Sequence, residues 1–514
     1  MIALAAQAVI DSPPAEGIVT PRVPWSALAP VLVLFVGSLL GVVVVSLLRR
    51  RVIPHLGSTL AVVVAGAALC TVVPLWHRVG SRGEGPISAV AGAVALDRYS
   101  LLITALICVS VILVALLSDG YLRREDLDGP ELYLLMLMAA AGGSVMAAAN
   151  DLVVLFVGFE ILSIATYVLA AMHRRRLSSQ EAGFKYLILG GTASAILLYG
   201  IALTYGATGS TSLVDISAFL GDHVITRDGL LLAGIGLMVV GLGFKVAAAP
   251  FHMWAPDIYQ GAPSPVSAFM SSAVKIAAFA GLGRVLVTGL GSQQRLWGPI
   301  VFVLAVMSLI VGAVLAITQR NVKRMLAYSS INHAGFILVG VYVANERGIA
   351  AMLFYLAAYL VMTIGSFGVV TVVGGRGDGR HDLDDYRGMG GRRPGLALLF
   401  TILLLAQAGV PFTAGFVAKL GVIEAAATGS HWALAVVAML SATISAFLYL
   451  RIISAMYFSE PAVEGPGPRI VVGRPAVVAL GVAVVATLVL GIVPGFMTSL
   501  ADRARPVLVL PGNR

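Results

Sequence analysis

Long apolar stretches separated by short polar connections run along almost the whole chain. Stretches of about 20 residues, each enough to cross a hydrocarbon core of about 30 Å, recur again and again. An outer-membrane barrel would instead show polar and apolar residues alternating over segments of about 10 residues. The pattern therefore predicts an all-α polytopic membrane protein. We predict fourteen transmembrane helices, at residues 25–48, 57–76, 100–118, 132–149, 151–172, 182–206, 230–254, 266–289, 297–318, 323–343, 348–372, 395–427, 433–457 and 476–499.

Composition agrees with this interpretation and limits the partners. Hydrophobic residues make up 59% of the 514 residues and charged residues 11%, whereas soluble domains average about 25% charged residues. The net charge of +9 could indicate nucleic acid, but the basic residues lie in short inter-helix loops without interleaved aromatic residues. We therefore expect lipid and no nucleic acid as partners, and we assign the basic residues to orientation in the membrane.

The positive-inside rule orients the chain. Alternate loops carry 18 Lys and Arg residues, including 49–51, 174–176 and the five arginines of 376–393, against 10 in the opposite set. This predicts both termini on the outer side, which requires an even number of spans. The first 24 residues contain Asp11 and Glu16 but no basic n-region, so we interpret them as an extramembrane lead-in and not as a cleaved signal.

Two of the predicted spans contain a proline close to a lysine. Lys245 precedes Pro250 in span 7, and Pro411 precedes Lys419 in span 12. Proline removes a backbone donor and clashes with the preceding turn, so both helices should be broken. The reversed order of lysine and proline is typical of an inverted-topology repeat. The alternative is a pair of ordinary proline kinks in packed helices.

The lysines form the most informative pattern in the sequence. The chain has five lysines against 29 arginines; Lys185 and Lys323 lie near helix ends, whereas Lys245, Lys275 and Lys419 fall inside apolar spans. A charged lysine at the centre of a membrane helix costs roughly 2.5–3.5 kcal/mol on insertion scales. A lysine removed from water can release its proton near neutral pH, whereas arginine stays protonated. The pattern indicates proton transfer; snorkelling lysines and purely structural ion pairs are the alternatives.

Two further residues are candidates for the same chemistry. Glu160, the acid inside span 5, could pair with a lysine, and moving it would switch that lysine between holding and releasing a proton. His333, about ten residues into span 10, could relay a proton, or could be a neutral, hydrogen-bonded core histidine. His252, beside Pro250, fits a structural role at the break. Cys70 and Cys108 form no CxxC, and the chain has no HExxH, P-loop or dinucleotide-binding motif, so we expect no metal or cofactor in this chain.

Four segments carry a resemblance to a known family: ELYLLMLMAAAGGSVMAAANDLVVLFVGFEILSIATYVL (131–169), GFKVAAAPFHMWAPDIYQGAPSPVSAFMSSAVKIAAF (243–279), RNVKRMLAYSSINHAGF (320–336) and GVPFTAGFVAK (409–419). They resemble the antiporter-like membrane subunits of respiratory complex I and the Mrp-type cation/proton antiporters. Within that family, PDIYQGAPSPVSAF is similar to the subunit N group of NADH-quinone oxidoreductase.

The resemblance implies a fourteen-helix core with two inverted five-helix repeats and broken helices 7 and 12. It divides the chain into a lead-in with helices 1–3 (1–130), a first repeat of helices 4–8 (131–290), a second repeat of helices 9–13 (291–458), and helix 14 with the tail (459–514). Glu160 and Lys245 would be the ion pair of the first half-channel. Lys275 would be the central lysine, His333 a relay and Lys419 the terminal lysine. Lys185 matches a family lysine on span 6.

The implied function is that of a proton-translocating subunit of a bacterial inner-membrane NADH-quinone oxidoreductase. NADH, flavin, iron–sulfur clusters and quinone would be bound by other subunits, and neighbouring membrane subunits would be the partners. An Mrp-type Na⁺/H⁺ antiporter subunit and a non-conducting scaffold subunit of the same complex are the alternatives. The role of the Gly-rich, charged loop 374–393 is left open.

Overall fold

The computed structural model describes residues 23–47, 55–80, 83–127, 129–223, 229–460 and 472–510. The predicted extramembrane lead-in lies almost wholly outside these residues, as do the arginines of 49–51. Almost every described element is a helix, which confirms the all-α polytopic class. The helices are α1 (Ala29–Leu47), α2 (Leu56–Arg78), α3 (Arg98–Arg124), α4 (Glu131–Ala148), α5 (Leu152–Ala170), α6 (Leu177–Thr208), α7 (Leu213–Asp222), α8 (Gly229–Lys245), α9 (Trp254–Gly261), α10 (Ser264–Gly289), α11 (Gln294–Thr318), α12 (Val322–Val343), α13 (Glu346–Val373), α14 (Pro394–Ala408), α15 (Ala414–Thr428), α16 (Trp432–Phe458), α17 (Arg474–Ile492) and α18 (Gly495–Arg503).

Twelve helices within the described residues are long and apolar enough to cross a membrane. Two shorter apolar helices, α8 and α14, lie at the spans predicted to be broken. Helix α8 ends at Lys245 and the chain resumes helical structure at Trp254, while α14 ends at Ala408 and α15 begins at Ala414. Each gap contains the proline that the sequence indicated, Pro250 or Pro411. The total of fourteen crossings stays a prediction.

The centre of the molecule is formed by α10 and α13, which are buried along nearly their whole length. Helix α10 contains two π-helical turns, Met270–Val274 and Arg284–Gly289, and each adjoins or contains a buried cation, Lys275 or Arg284. Such turns interrupt the regular i→i−4 ladder and are frequent at functional sites. Peripheral helices such as α16 instead expose apolar side chains along one face, as lipid or a neighbouring subunit requires.

Small non-helical elements lie at the ends of the bundle. They include a hairpin of β1 (Ile87–Ala89) and β2 (Val94–Leu96), which was not predicted because strands of three residues give no periodic signal. Arg284 is fully buried and forms a bidentate ion pair with Asp97, with N–O distances of 2.7 and 2.9 Å. Asp97 also accepts a hydrogen bond from the amide of Val507, so this pair ties the C-terminal segment to α3 and α10.

Two short backbone bridges repeat the same arrangement at distant places in the chain. Ahead of α5, the Leu152 amide donates to the Thr211 carbonyl (2.9 Å) and the Leu213 amide to Asn150 (2.9 Å). Ahead of α12, the Val322 amide donates to the His381 carbonyl (2.6 Å), in a bridge pairing Asn321 with Asp382.

The same two helix starts also share a capping pattern. The Asp151 side chain accepts from the second and third amides of α5, at 2.7 and 3.2 Å. The Asn321 side chain accepts from the second and third amides of α12, at 3.1 and 3.3 Å. Each capped helix start is thus bridged to the loop that follows the next long helix, α6 in one case and α13 in the other.

Candidate functional site

Lys245 is the last residue of α8, where the helix breaks, and it is 2% exposed. Its ammonium donates hydrogen bonds to Ser163 Oγ (2.8 Å) and Tyr186 OH (3.3 Å). The rings of Phe159, Tyr167 and Tyr186 surround it, with centroids 5.1–5.5 Å from Nζ. Ring faces attract a desolvated cation, so this cage stabilises the ammonium without a carboxylate in contact.

Glu160 does not contact Lys245 in this structure. The described residues show no ion pair for Glu160, and its buried Oε1 atom has no hydrogen-bond partner. Ser163, one helical turn beyond Glu160 on α5, takes the place that the resemblance implied for the carboxylate. Helix α5 therefore contacts Lys245 through Ser163, and the described residues show no ion pair between Glu160 and Lys245.

Lys185 lies apart from the buried lysines. Its side chain is 44% exposed and pairs with Glu181 (2.6 Å) on the same helix and with Asp257 (3.6 Å) on α9. Asp257 also accepts a hydrogen bond from Arg324 (2.5 Å). Lys185 thus belongs to a surface ion-pair group that links α6, α9 and α12.

Lys275 is buried in the middle of α10, directly after the first π-helical turn. Its ammonium donates to the carbonyl (2.7 Å) and the hydroxyl (2.5 Å) of Ser330 on α12. The Tyr359 hydroxyl donates to the same Ser330 Oγ at 2.7 Å. Neutral oxygen atoms, and not a carboxylate, therefore hold this lysine.

His333 is completely buried and joins two tyrosines. Its Nδ1 is hydrogen-bonded to Tyr355 OH (2.8 Å) and its Nε2 to Tyr449 OH (3.2 Å). Tyr449 OH is in turn hydrogen-bonded to Ser329 Oγ at 2.6 Å. The Tyr359 ring, which contacts Lys275, lies 5.1 Å from the imidazole, so His333 directly adjoins the surroundings of Lys275.

Beyond Tyr449, the polar contacts continue to the break between α14 and α15. Ser329 donates to Gln407 Oε1 (3.2 Å), and Gln407 Nε2 donates to Ser366 Oγ (2.6 Å). Lys419, 5% exposed, donates to the carbonyl of Ala408 at 2.9 Å. Ala408 ends α14, so the broken helix provides the free carbonyl that holds this lysine.

A second buried cluster lies where the loop 374–393 covers the beginnings of α10 and α12. The Asp378 carboxylate is fully buried and contacts Arg176 (3.0 Å), His381 Nε2 (2.9 Å), and Ser264 Oγ (2.7 Å). Lys323 Nζ, also fully buried, lies 3.7 Å from it. Burial opposes ionisation of this carboxyl, but Lys323, His381 and Arg176 outweigh it and hold the pKa of Asp378 well below its usual range.

The sequence did not indicate the hydroxyl and amide groups that connect the ionisable residues, or the burial of Lys323. Tyr355 and Tyr359 are one turn apart on α13, and Ser329, Ser330 and His333 share α12. Hydroxyl groups are common within apolar helices. The sequence could have indicated a functional role for these only through their closeness to a buried histidine and lysine. In the described part of the chain, no group of three or more His, Cys, Asp or Glu residues could hold a metal ion.

Comparison with known proteins identifies the family of this chain. The family model described as NADH:quinone oxidoreductase/Mrp antiporter, TM, matches residues 149–445, which include all six predicted site residues. NADH-quinone oxidoreductase subunit N 3 of Streptomyces griseus subsp. griseus is 40% identical, over 97% of this chain and 97% of its own length. NADH-quinone oxidoreductase subunit N 2 of Roseiflexus castenholzii is 41% identical, over 95% and 97%.

Solved structures share the fold. A chain of respiratory complex I from Thermus thermophilus with bound aureothin superposes with a TM-score of 0.77 at 32% identity, covering 92% of this chain and 100% of that one. A chain of the Mrp complex from Dietzia sp. DQ12-45-1b superposes with a TM-score of 0.82 at 22% identity, covering 95% and 98%, and supports the fold alone. The predicted resemblance is confirmed: this multi-pass membrane chain belongs to the NADH:quinone oxidoreductase/Mrp antiporter family, within the group of NADH-quinone oxidoreductase subunit N.

Proposed function

We propose that this chain is a proton-translocating membrane subunit of a bacterial type I NADH-quinone oxidoreductase. The observation that carries the proposal is the row of buried ionisable residues, Lys245, Lys275, His333 and Lys419, held by hydroxyls and carbonyls inside apolar helices. Buried charges are costly in a membrane and persist mainly where they serve ion or proton transfer. The names of its relatives agree with this assignment.

The first step of the proposed mechanism is a switch at Lys245. The aromatic cage and Ser163 hold the ammonium while Glu160 is unpaired, as in this structure. Approach of the Glu160 carboxylate would favour the protonated lysine, and its withdrawal would favour release of the proton toward Lys275. A charge displacement in a neighbouring subunit, which quinone reduction would drive, moves the carboxylate.

In the second half of the mechanism, protons pass from Lys275 through His333 to Lys419. Tyr359 adjoins both Lys275 and His333, and its hydroxyl donates to Ser330, which holds Lys275. Tyr449, Ser329 and Gln407 extend the polar contacts toward the break at Ala408. These neutral groups position the ionisable residues and offer hydrogen-bond partners to water along the way. Lys419 delivers the proton toward the outer side.

We also propose that the two halves are inverted repeats, residues 131–290 and 291–458. The capped and bridged starts of α5 and α12 support this division. At each start, the residues before the helix pair with the loop that follows the next long helix. If α8 and α9 form one crossing, five crossings separate these two starts, so the bridges lie on opposite faces of the membrane. The lead-in with helices 1–3 (1–130) and helix 14 with the tail (459–514) would flank them, with both termini on the outer side.

The redox chemistry belongs to other subunits in this proposal. NADH, flavin, iron–sulfur clusters and quinone would bind there, and this chain would contribute no redox centre. The partners are an antiporter-like neighbour and small membrane subunits, which would contact the exposed apolar faces together with lipid.

The test is proton pumping by the purified complex in sealed vesicles. Lys245→Ala and Lys419→Ala should each lower the number of protons pumped per NADH oxidised. Ser118→Ala should not, because the buried Ser118 hydroxyl donates to Val114 within its own helix, α3. Undiminished pumping in both lysine variants would overturn the assigned roles and favour a scaffold subunit. Sodium-dependent proton flux by the chain without redox subunits would favour the Mrp-type alternative, which the shared fold keeps open.

A further inference from the structure

Lys323 is a fourth buried lysine, outside the row described above. It is the second residue of α12 and is fully buried, although it lies near a helix end. Its ammonium donates to the Ala262 carbonyl at 2.6 Å and lies 3.7 Å from the Asp378 carboxylate. A lysine at such a position could reach water, so its burial requires the loop that covers it.

The loop 374–393 supplies this cover and the counter-charge. Asp378 accepts hydrogen bonds from the hydroxyl and the amide of Ser264, at 2.7 and 3.1 Å, and from Arg176. The Gly377 amide donates to Glu125 at 2.8 Å, which fixes the loop to the end of α3. Gly377, with φ of 82°, adopts a backbone conformation that favours glycine, so the Gly-rich sequence permits this tight docking.

Buried polar groups lead from this cluster to Lys275 along two helices. On α10, Ser264, Ser267 and Ser271 precede Lys275 at intervals of three, four and four residues, which places them on one face, and all are fully buried. On α12, Lys323 precedes Ser330 by seven residues, about 10 Å along the helix, and Ser330 binds Lys275. Both helices therefore connect the same two sites, the Asp378 cluster and Lys275.

We propose that Lys323, covered by the loop and paired with Asp378, is the proton-uptake site on the arginine-rich side of the membrane, feeding Lys275. The proposal rests on the proposed function and adds the residue at which the proton arrives. A proton from the aqueous phase binds the Lys323 amine, and the amine later releases it to water and hydroxyls between α10 and α12, from which the Lys275 amine takes it. The residue types agree, because arginine suits a permanent clamp and lysine can release a proton.

The cluster combines one carboxylate with a permanent cation and a titratable one. Arg176 and Lys323 contact the same Asp378 oxygen, at 3.0 and 3.7 Å. Arg176 is partly exposed and permanently charged, so it serves as the clamp; Lys323 is the group that can change its charge.

Charge-preserving substitutions separate uptake from a structural role. Lys323→Arg keeps a cation beside Asp378 but removes the group that can deprotonate, so we expect assembly of the complex with a loss of protons pumped per NADH. Arg78→Lys, which makes a charge-preserving change in an exposed ion pair with Glu84 outside this cluster, should leave pumping at the wild-type level. Wild-type pumping by an assembled Lys323→Arg complex would overturn the proposal.

If the complex with Lys323→Arg does not assemble, two serine variants provide the test. Ser271→Ala removes a hydroxyl between the two lysines, and Ser118→Ala removes a matched one on α3; each hydroxyl donates to the carbonyl four residues earlier, at 2.7 Å. Ser271→Ala should slow pumping and Ser118→Ala should not; equal, unchanged pumping would reject the uptake route. If Lys245→Ala and Lys419→Ala lose pumping while the uptake variants do not, the proposed function stands and this inference fails.

Discussion

The central lysines are held mainly by neutral partners. Lys245 has Ser163 and an aromatic cage, Lys275 has Ser330, and Lys419 has the Ala408 carbonyl. A close carboxylate would fix each ammonium in its charged form, whereas hydroxyls and carbonyls stabilise it less strongly. This arrangement suits groups that must both accept and release a proton.

Tyr449 should be essential to the second half of the path. Tyr449→Phe leaves His333 Nε2 and the Ser329 hydroxyl without a shared partner, so we expect pumping to slow roughly tenfold or more. The measurement is the initial rate of vesicle acidification at a matched rate of NADH oxidation. The control is Tyr386→Phe, because the buried Tyr386 hydroxyl has no hydrogen-bond partner. Equal rates in the two variants would contradict the role of Tyr449.

Docking of the loop 374–393 should weaken in mild acid because of His381. Burial lowers the pKa of His381, although Asp378 raises it and Lys323 opposes protonation. Asp385 and the sequence neighbours Arg380 and Asp382 are further charged groups close to it. A histidine with a lowered pKa stabilises the docked state above its undocked value near 6.5, and this stability falls by at most about 1.4 kcal/mol per pH unit below it. Asp378, whose pKa is also lowered, loses its contribution only below about pH 4.

Hydrogen exchange of the loop amides at about pH 7.5 and about pH 5.5, corrected for intrinsic rates, measures this effect. We expect faster corrected exchange at the lower pH in the wild type. His381→Gln keeps a donor for Asp378 but cannot titrate, so its corrected exchange should not depend on pH over this range. An unchanged pH dependence in this variant would assign the effect to another group.

At the scale of helices, close packing depends on glycines whose importance the sequence does not reveal. A Cβ atom on Gly158 of α5 would come within 2.8 Å of the Gly142 carbonyl and the Met146 amide on α4. Both obstacles are backbone atoms, so the two helices would have to separate. Gly191, on α6, has no atom within 4 Å of the same position.

Gly158→Ala should therefore destabilise the protein, by about 1–3 kcal/mol, the range for overpacked cores. Gly191→Ala should be neutral or slightly stabilising, because alanine is the better helix former. The melting temperatures of the two purified variants make the comparison. A lower melting temperature for Gly191→Ala than for Gly158→Ala would show that packing of α4 on α5 does not limit stability.

The sequence predicted the breaks in spans 7 and 12 because proline has a direct effect on backbone hydrogen bonding. The side chain that would face each lysine could not be predicted in the same way. Ser163 and Glu160 both lie on α5, and which of them contacts Lys245 depends on the rotation of that helix about its axis. The loop 374–393 gave no periodic signal, so neither the docking of Asp378 nor the burial of Lys323 could be inferred from it.

On the scale of the whole molecule, the ion pair of Asp97 and Arg284 joins four distant parts of the chain. Both side chains are almost completely buried, and Arg284 also donates to the Ala147 and Val507 carbonyls, at 2.9 and 3.1 Å. Removal of one charge from such a pair leaves the other uncompensated in a low-dielectric interior. The overall class was predictable because apolar length alone dictates membrane helices, whereas this long-range pair was not.

Asp97→Asn should destabilise the protein by about 3–5 kcal/mol and release the C-terminal segment. Faster proteolysis near residue 507, together with a lower melting temperature, would report the change. Glu84→Gln is the control, because its pair with Arg78 is exposed and is worth about 0–1 kcal/mol. Similar melting temperatures for the two variants would show that the buried pair adds no stability.

The five lysines differ in exposure, so their chemical reactivity can report where water reaches the protein interior. Lys185 is 44% exposed, whereas Lys245, Lys275, Lys323 and Lys419 are each 5% exposed or less. An amine-acylating reagent small enough to follow water should therefore modify Lys185 at once and the other four only when their surroundings hydrate. Mass spectrometry of the complex at rest and during turnover would then reveal, lysine by lysine, where and when water enters the membrane interior.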